Sequence, residues 1–285
     1  KSIVTEIVKR QKPKLLVISA AAFSQGNWNL TDEVYLRKWI DNMPMSQNKL
    51  DTVKTIPKNI NKDDEKVKDN ISDTLYFPLE KYHGNWKDPE AVYTSFVTRA
   101  YMRLSGGGYL KGFYSKTGIT GGRDNLANIG QPTKEAYVLT DECRAYLKDL
   151  LSYCNKLGIE HVLLLQPPHE TQAADKSGLE QIESITKEYG YDFLDLSTDY
   201  ESAVGIDDSH DFADFEHLNA YGAQKLSSYI GSLAVNQYGI KSDTTKSELS
   251  RWEKSVKRTK KALKMAREYT DRGEAQVVGE YEAAK

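Results

Sequence analysis

The alternation of apolar and polar positions along the chain predicts an α/β domain. Three short apolar runs are typical of buried parallel strands and lie at residues 15–19, 161–166 and 192–196. Patterns with the period of an amphipathic helix lie directly before them, at residues 1–9, 141–156 and 178–189. This order of helices and strands predicts a three-layer αβα sandwich around a mostly parallel, doubly wound sheet.

The last third of the chain adds two predicted helices. One covers residues 220–235, because apolar side chains recur on a single helical face at Leu218, Tyr221, Leu226, Ile230 and Leu233. The other is lysine-rich and covers residues 251–267, and we expect residues 273–285 to fray. We therefore divide the chain into a domain at residues 1–240 and a charged helical tail at residues 241–285, which we expect to be solvated or peripheral.

The section at residues 20–135 has weaker periodicity than the rest of the domain. It contains a helix start at residues 42–46, a charged loop near residues 58–70 and a glycine-rich stretch at residues 105–122. A segment this long between parallel strands is an insertion, and insertions at strand ends shape substrate sites. We interpret it as a cap.

Composition and charge exclude several classes of protein. The 285 residues are 39% hydrophobic and 28% charged, with a net charge of −2, so nothing indicates nucleic acid as a partner.

Cys143 and Cys154 fall on one predicted helix about 16 Å apart, too far for a disulfide. The first residue is Lys1 and not methionine, and the sequence shows no signal peptide or anchor. We therefore expect a further N-terminal piece upstream of Lys1.

An aspartate three positions before a histidine carries the chemistry that we predict. Asp214 can turn its carboxylate onto the ring of His217, fix the tautomer and stabilise the imidazolium formed when the ring takes a proton from a hydroxyl. Asn219 is placed to cap the following helix. Two alternatives stay open at this point: Asp214 caps the helix beside an incidental histidine, or the oxygen and imidazole groups of residues 207–217 bind a metal.

These residues resemble the last sequence block of the SGNH/GDSL hydrolase superfamily, in its DltD-like branch. The run from Asp214 to Lys225 carries most of the resemblance. Other segments similar to this branch are Asp41-Asn42-Met43-Pro44-Met45-Ser46, Phe77-Pro78-Leu79 with Tyr82, His83 and Trp86, and Lys111-Gly112-Phe113. The resemblance covers roughly residues 1–240 and implies an SGNH or flavodoxin-like fold.

The resemblance also implies a nucleophilic serine after a central first strand, in a glycine-bearing block. Neither Ser2 nor Ser19 has such a turn, so we expect the serine and its strand to lie upstream of Lys1. Oxyanion donors have no clear counterpart, although the glycines at residues 106–108 and the run at residues 121–125 are candidates, with ordinary turns as the alternative.

Three aromatic or imidazole side chains are candidates for lining the substrate site. His83 and Trp86 can lie over a sugar ring, or the tryptophan can pack the cap onto the core. His169 follows a strand end, where open α/β sheets bind ligands.

The Asp–His pattern and the resemblance together predict acyl-ester chemistry without a cofactor, by an esterase or acyltransferase. The resemblance alone implies an acylated cell-surface glycan or a small acyl ester as the substrate, and an extracellular or surface-anchored protein. The alternatives are a catalytically inactive carbohydrate-binding or accessory module, a metal-dependent hydrolase, and a structural partner that docks on a membrane-bound O-acyltransferase through the basic C-terminal helix.

Overall fold

The structure of the protein is a computed structural model. It describes residues 1–24, 33–55, 75–76, 84, 87–104, 108, 110–119, 137–168, 176–214, 217–242 and 245–280.

Helices and short strands alternate through these ranges. The helices are α1 (Ser2–Val8), α2 (Ala21–Ser24), α3 (Glu33–Ile40), α4 (Gln47–Thr55), α5 (Pro89–Leu104), α6 (Asp141–Lys156), α7 (Ser177–Glu188), α8 (Tyr200–Val204), α9 (Ala220–Asn236) and α10 (Lys246–Asp271). The strands are β1 (Leu15–Ser19), β2 (Ser115–Lys116), β3 (His161–Gln166), β4 (Asp192–Asp195), β5 (Phe212–Asp214), β6 (His217–Leu218) and β7 (Val277–Val278).

The three predicted strands form one parallel sheet in the order β1-β3-β4. Leu15 pairs with His161 at the start of β1, and Leu163 pairs with Asp192 at the start of β4. The chain is therefore mixed α/β with a small parallel sheet, as the apolar runs predict. β1 bonds directly to β3 through all five of its residues, so the expected missing strand has no place between them.

Both faces of the central strand are buried. Val162 and Leu164 of β3 lie in one hydrophobic cluster with residues of α1, α6 and α7, whereas Leu165 lies in a second cluster beside α8, β5 and the partly buried apolar side chains of α9. Successive side chains of a strand point to opposite faces, so β3 serves both clusters at once. The continuous apolar run of β3 follows from this double burial.

The predicted helices begin and end close to the expected residues. Thr140 caps α6 through its hydroxyl, which accepts from the Cys143 backbone N–H at 3.2 Å. Both cysteines of α6 are buried free thiols, as their separation requires. None of the helices in the described ranges has the combined length and apolar character of a membrane span.

The C-terminal region differs from the expected solvated tail. Ala262 and Ala266 of α10 are fully buried with Ala220 of α9, and Val278 joins the same cluster. Val277 and Val278 form β7, which pairs antiparallel with β2. The expectation that residues 273–285 fray is therefore wrong at Val277 and Val278, because β2 supplies them with backbone partners. The division of the chain at residue 240 remains a prediction.

Part of the predicted cap lies within the described residues. Leu36 and Ile40 of α3 pack with Val53 of α4 and with Leu75, and this small cluster is separate from the sheet clusters. The charged loop near residues 58–70 lies outside the described residues, as do residues 105–107, 109 and 120–122 of the glycine-rich stretch. The cap assignment therefore stays a prediction.

Candidate functional site

The predicted site lies on a short hairpin formed by β5 and β6. Phe212, which is fully buried in the cluster beside Leu165, anchors the first strand. The two strands pair antiparallel, and Asp214 stands directly opposite His217 in the register. Cross-strand neighbours on one face have adjacent Cβ atoms, so the hairpin brings the two side chains together.

Asn219 fixes the junction between the hairpin and α9. Its side-chain oxygen accepts from the backbone N–H groups of Tyr221 and Gly222, and its amide donates to the carbonyl of His210 at 2.6 Å. The predicted cap is therefore confirmed, and because Asn219 is the cap, the interpretation of Asp214 as the capping carboxylate is wrong. A Cβ atom at Gly222 would lie only 2.5 Å from the Asp211 carbonyl oxygen. This is too close for any side chain, so the position requires glycine.

Asp214 and His217 form a direct hydrogen bond. The distance from Asp214 Oδ1 to His217 Nδ1 is 2.7 Å, and the side chains are 36% and 44% exposed. Two lone pairs at this distance would repel, so we assign the proton to Nδ1, which donates to the carboxylate. Nε2 then carries the lone pair and is the basic nitrogen of the ring. This is the tautomer that a general base requires.

Lys116 is a third member of the cluster, and it was not predicted from the sequence. Its ammonium donates to Asp214 Oδ2 at 2.9 Å and lies 3.1 Å from His217 Nδ1. With Nδ1–H already directed at Oδ1, the approach of Nζ to Nδ1 is a contact between two donors that share one carboxylate. Lys116 therefore balances the negative charge of Asp214. The ammonium of Lys116 and the ring of His217 are both partners of this one carboxylate.

The backbone around Lys116 is held from two sides. Lys116 forms an isolated parallel bridge with Asn219 on one side and pairs with Val277 of β7 on the other. Thr117 extends the second attachment, because its backbone N–H donates to the Gln276 carbonyl at 3.0 Å and its hydroxyl accepts from the Gln276 N–H at 2.7 Å. The C-terminal strand thereby positions a lysine that contacts the Asp–His pair.

A second histidine–aspartate pair lies just before the first, with its histidine seven residues upstream of His217. His210 Nδ1 is 3.0 Å from Asp211 Oδ1, and Asp211 is completely buried. The other oxygen of Asp211 accepts from the Asp207 N–H at 2.8 Å and from Lys225 Nζ at 2.6 Å. This carboxylate therefore organises the turn that precedes the hairpin.

Tyr221 connects the same turn to the C-terminal helix. Its ring lies 4.4 Å from that of His210, and its hydroxyl donates to Asp271 at 2.9 Å. Burial, followed by this hydrogen bond, raises the pKa of the Tyr221 hydroxyl, so the phenol stays a donor. The residues around His217 are thus tied to α10 at a second point.

The structure tests the remaining site predictions only in part. His83, Trp86 and His169 lie outside the described residues, as do Gly106, Gly107 and residues 121–125. Gly108 is described and has a φ of +90°, which suits glycine, but this conformation does not assign it an oxyanion role. No serine hydroxyl of the described chain hydrogen-bonds to His217. The described residues also contain no cluster of three or more histidine, cysteine, aspartate or glutamate side chains placed to hold a metal.

Lys116 carries no local signal that sequence analysis could use. It lies 98 positions before Asp214, in a section of weak periodicity, and only tertiary pairing brings the two together.

Comparison of the chain with protein-family models, with curated proteins and with solved structures gives no match.

Proposed function

We propose that Asp214 and His217 are the acid and base of a serine-dependent acyl-ester site of the SGNH type, in the DltD-like branch. The observation that carries the proposal is the 2.7 Å bond from His217 Nδ1 to Asp214 Oδ1, which leaves Nε2 basic. A partly exposed histidine in this tautomer can remove a proton from a hydroxyl group presented to it. The burial of both faces of β3 supports the matching fold, a doubly wound three-layer sandwich.

The reaction that we propose has two steps. In the first, a serine oxygen attacks the ester carbonyl, its proton passes to His217 Nε2, and the leaving alcohol takes that proton as the ester bond breaks. In the second, water or an acceptor alcohol attacks the acyl-enzyme with His217 again as the base, and the serine is regenerated. Asp214 stabilises the imidazolium in both steps, and Lys116 holds Oδ2 so that Oδ1 keeps facing the ring.

The substrate class that we propose is an O-acylated glycan at the cell surface, handled together with a membrane-bound O-acyltransferase. This part rests on the resemblance of the chain to the DltD-like branch. The expected nucleophile is a serine upstream of Lys1, and His83, Trp86 and His169 are the proposed substrate-lining residues.

A second candidate is a catalytically inactive carbohydrate-binding or accessory module. It is favoured by one observation: Lys116 Nζ bonds to Asp214 Oδ2 at 2.9 Å, so the carboxylate already has a cationic partner without His217. In this candidate the Asp–His–Lys cluster stabilises the hairpin and does not transfer protons.

Labelling with a fluorophosphonate probe distinguishes the two candidates. The protein expressed from its complete reading frame should be labelled at one serine, and His217→Ala should abolish the labelling because the serine loses its base. His210→Ala is the matched control, since it also removes a histidine bonded to an aspartate, and it should label normally. A parent protein that is folded and unlabelled would favour the accessory module.

A further inference from the structure

The first half of α10 carries an exposed apolar stripe. Leu249, Trp252 and Val256 are 50%, 54% and 49% exposed, and their spacing of three and four residues places them on one face of the helix. Exposed apolar side chains scattered singly are ordinary, but three in one row that include a tryptophan form a contiguous patch. The patch therefore indicates a surface that contacts something apolar.

An open groove continues the stripe. It has a volume of about 460 Å³ and lies between α9, α10 and the turn that contains Leu110 and Phe113. Trp252 and Val256 form part of its wall, and Lys111 and Lys260 also line it. Apolar side chains bordered by lysines make this face amphipathic.

The same segment of α10 carries a strongly positive net charge. Residues 246–261 contain seven lysines and arginines and two glutamates, which gives a net charge of +5. Because the whole chain has a net charge of −2, the remaining residues together carry −7. An extended anionic surface would therefore attract this segment of α10 and repel the rest of the molecule. Lys257 and Lys260, together with Glu253, border the stripe itself.

The helix is built to present this face without a folding step. Thr245 and Glu248 form a capping box at its start, and Ala262 and Ala266 are buried against the domain farther along. The apolar stripe lies beside the buried face and turns toward solvent. Docking would thus require no reordering of the backbone.

We propose that this basic face of α10 binds the surface of an anionic lipid bilayer. Trp252, Leu249 and Val256 enter the interfacial region, and the surrounding lysines and arginines contact the lipid head groups. Tryptophan suits this position because its ring is apolar and its N–H can stay hydrated. A bilayer fits the stripe because it supplies an apolar phase beside a continuous sheet of negative charge, which is the complement of this face.

The experiment is cosedimentation of the complete protein with two kinds of vesicle, one of phosphatidylcholine alone and one containing 30% phosphatidylglycerol. We expect binding to the anionic vesicles at low salt and at least about tenfold weaker binding to the neutral ones or in 0.5 M salt, since each basic residue near the surface adds to the attraction. Failure to bind the anionic vesicles overturns the proposal, and so does equal binding to both kinds.

Two sets of variants test whether this face is the one that binds. Lys257→Glu, Lys260→Glu and Lys261→Glu together should weaken binding at least about tenfold. The control, Lys12→Glu with Lys87→Glu and Lys156→Glu, makes the same charge change at exposed sites elsewhere and should bind nearly as well as the parent. If the control loses as much binding, the effect is one of net charge and the proposal is wrong.

The apolar part is tested by Trp252→Ala with Val256→Ser. Both side chains are about half exposed, so the fold should survive, and the circular dichroism spectrum verifies this. We expect several-fold weaker binding to anionic vesicles and loss of the blue shift of tryptophan fluorescence. Unchanged binding would show that the apolar stripe does not enter the bilayer. These results are independent of the esterase proposal, because no residue of the Asp–His–Lys cluster is altered.

Discussion

The two histidine–aspartate pairs of this protein look alike and differ in one decisive respect. His210 and His217 are 42% and 44% exposed, and each bonds to its aspartate through Nδ1. The carboxylates differ, because Asp211 is completely buried whereas Asp214 is 36% exposed. A bond from Nδ1 to a carboxylate therefore does not by itself separate a structural pair from a candidate catalytic pair, but the surroundings of the carboxylate do.

Asp211 serves the fold through three donors. It accepts from His210, from the Asp207 backbone and from Lys225, while its own carbonyl accepts from the Asn219 N–H. Loss of His210 leaves the Asp207 N–H and Lys225 as donors to this carboxylate. Asp214 stands in a more open hairpin, where its bond to His217 sets the tautomer of a ring that solvent can reach.

The largest expected effect separates the two histidines by activity. In the complete protein, His217→Ala should lower the rate of hydrolysis of a short p-nitrophenyl ester by about a thousandfold, because a positioned general base contributes 10²–10⁴ in rate. His210→Ala should change the rate less than about twofold. Steady-state assays of both variants check this, and similar losses in the two would remove the distinction that we draw.

The second effect separates the two aspartates by stability. Asp211→Asn should lower the free energy of unfolding by about 3 kcal/mol, since a buried carboxylate that gathers three donors is lost. Asp214→Asn should cost less than about 1 kcal/mol, because its partners are partly exposed to solvent. Urea unfolding followed by circular dichroism measures both, and the reverse order would mean that the hairpin bond is the structural one.

The third effect concerns Lys116, which contacts the Asp214–His217 pair and not the His210–Asp211 pair. Lys116→Met should lower kcat/KM roughly three- to tenfold, because Asp214 loses the donor that holds Oδ2, and Lys116→Arg should restore most of the rate. The partly exposed ion pair should contribute less than about 1 kcal/mol to stability. A rate as low as that of His217→Ala would instead make Lys116 a proton-transfer group itself.

The smallest effect is a pH dependence of the free energy of unfolding, which arises from Asp207 beside the His210–Asp211 pair. The hydroxyl and then the backbone N–H of Ser209 hold the pKa of Asp207 below its ordinary value of 3.8. A depressed pKa contributes stability that is complete above the ordinary value and is lost as the pH falls through the lower, folded value. Ser209→Ala should therefore flatten the acid limb of the stability curve below about pH 4. An unchanged acid limb would contradict this assignment.

The sequence predicts those parts of the molecule that depend on neighbouring residues. The strands Leu15–Ser19 and His161–Gln166 are evident because burial on both faces selects a continuous apolar run. The Asp214–His217 bond is evident because three positions of chain limit how far the two side chains can separate. The cap by Asn219 is local in the same way.

Contacts between segments distant in the sequence could not be predicted in this way. A strand of two residues, such as Ser115–Lys116, is too short to show any periodicity, and its partner Val277–Val278 lies 161 positions later in a charged region. Lys116 lies beside Asp214 because this pairing and the bridge to Asn219 fix the position of its backbone. The position of a lone lysine within the sequence contains no information about such a contact.

The pairing of Val277 with Lys116 also imposes an order on biosynthesis. The parallel sheet needs only residues up to Asp195, so it can assemble while the ribosome is still adding later residues. β2 must wait until Val278 has left the exit tunnel, since its outer hydrogen-bonding partner does not exist before then. The nascent chain therefore holds a formed sheet before the Asp–His–Lys cluster is complete, and any proton transfer that depends on Lys116 begins only after Val278 has been synthesised.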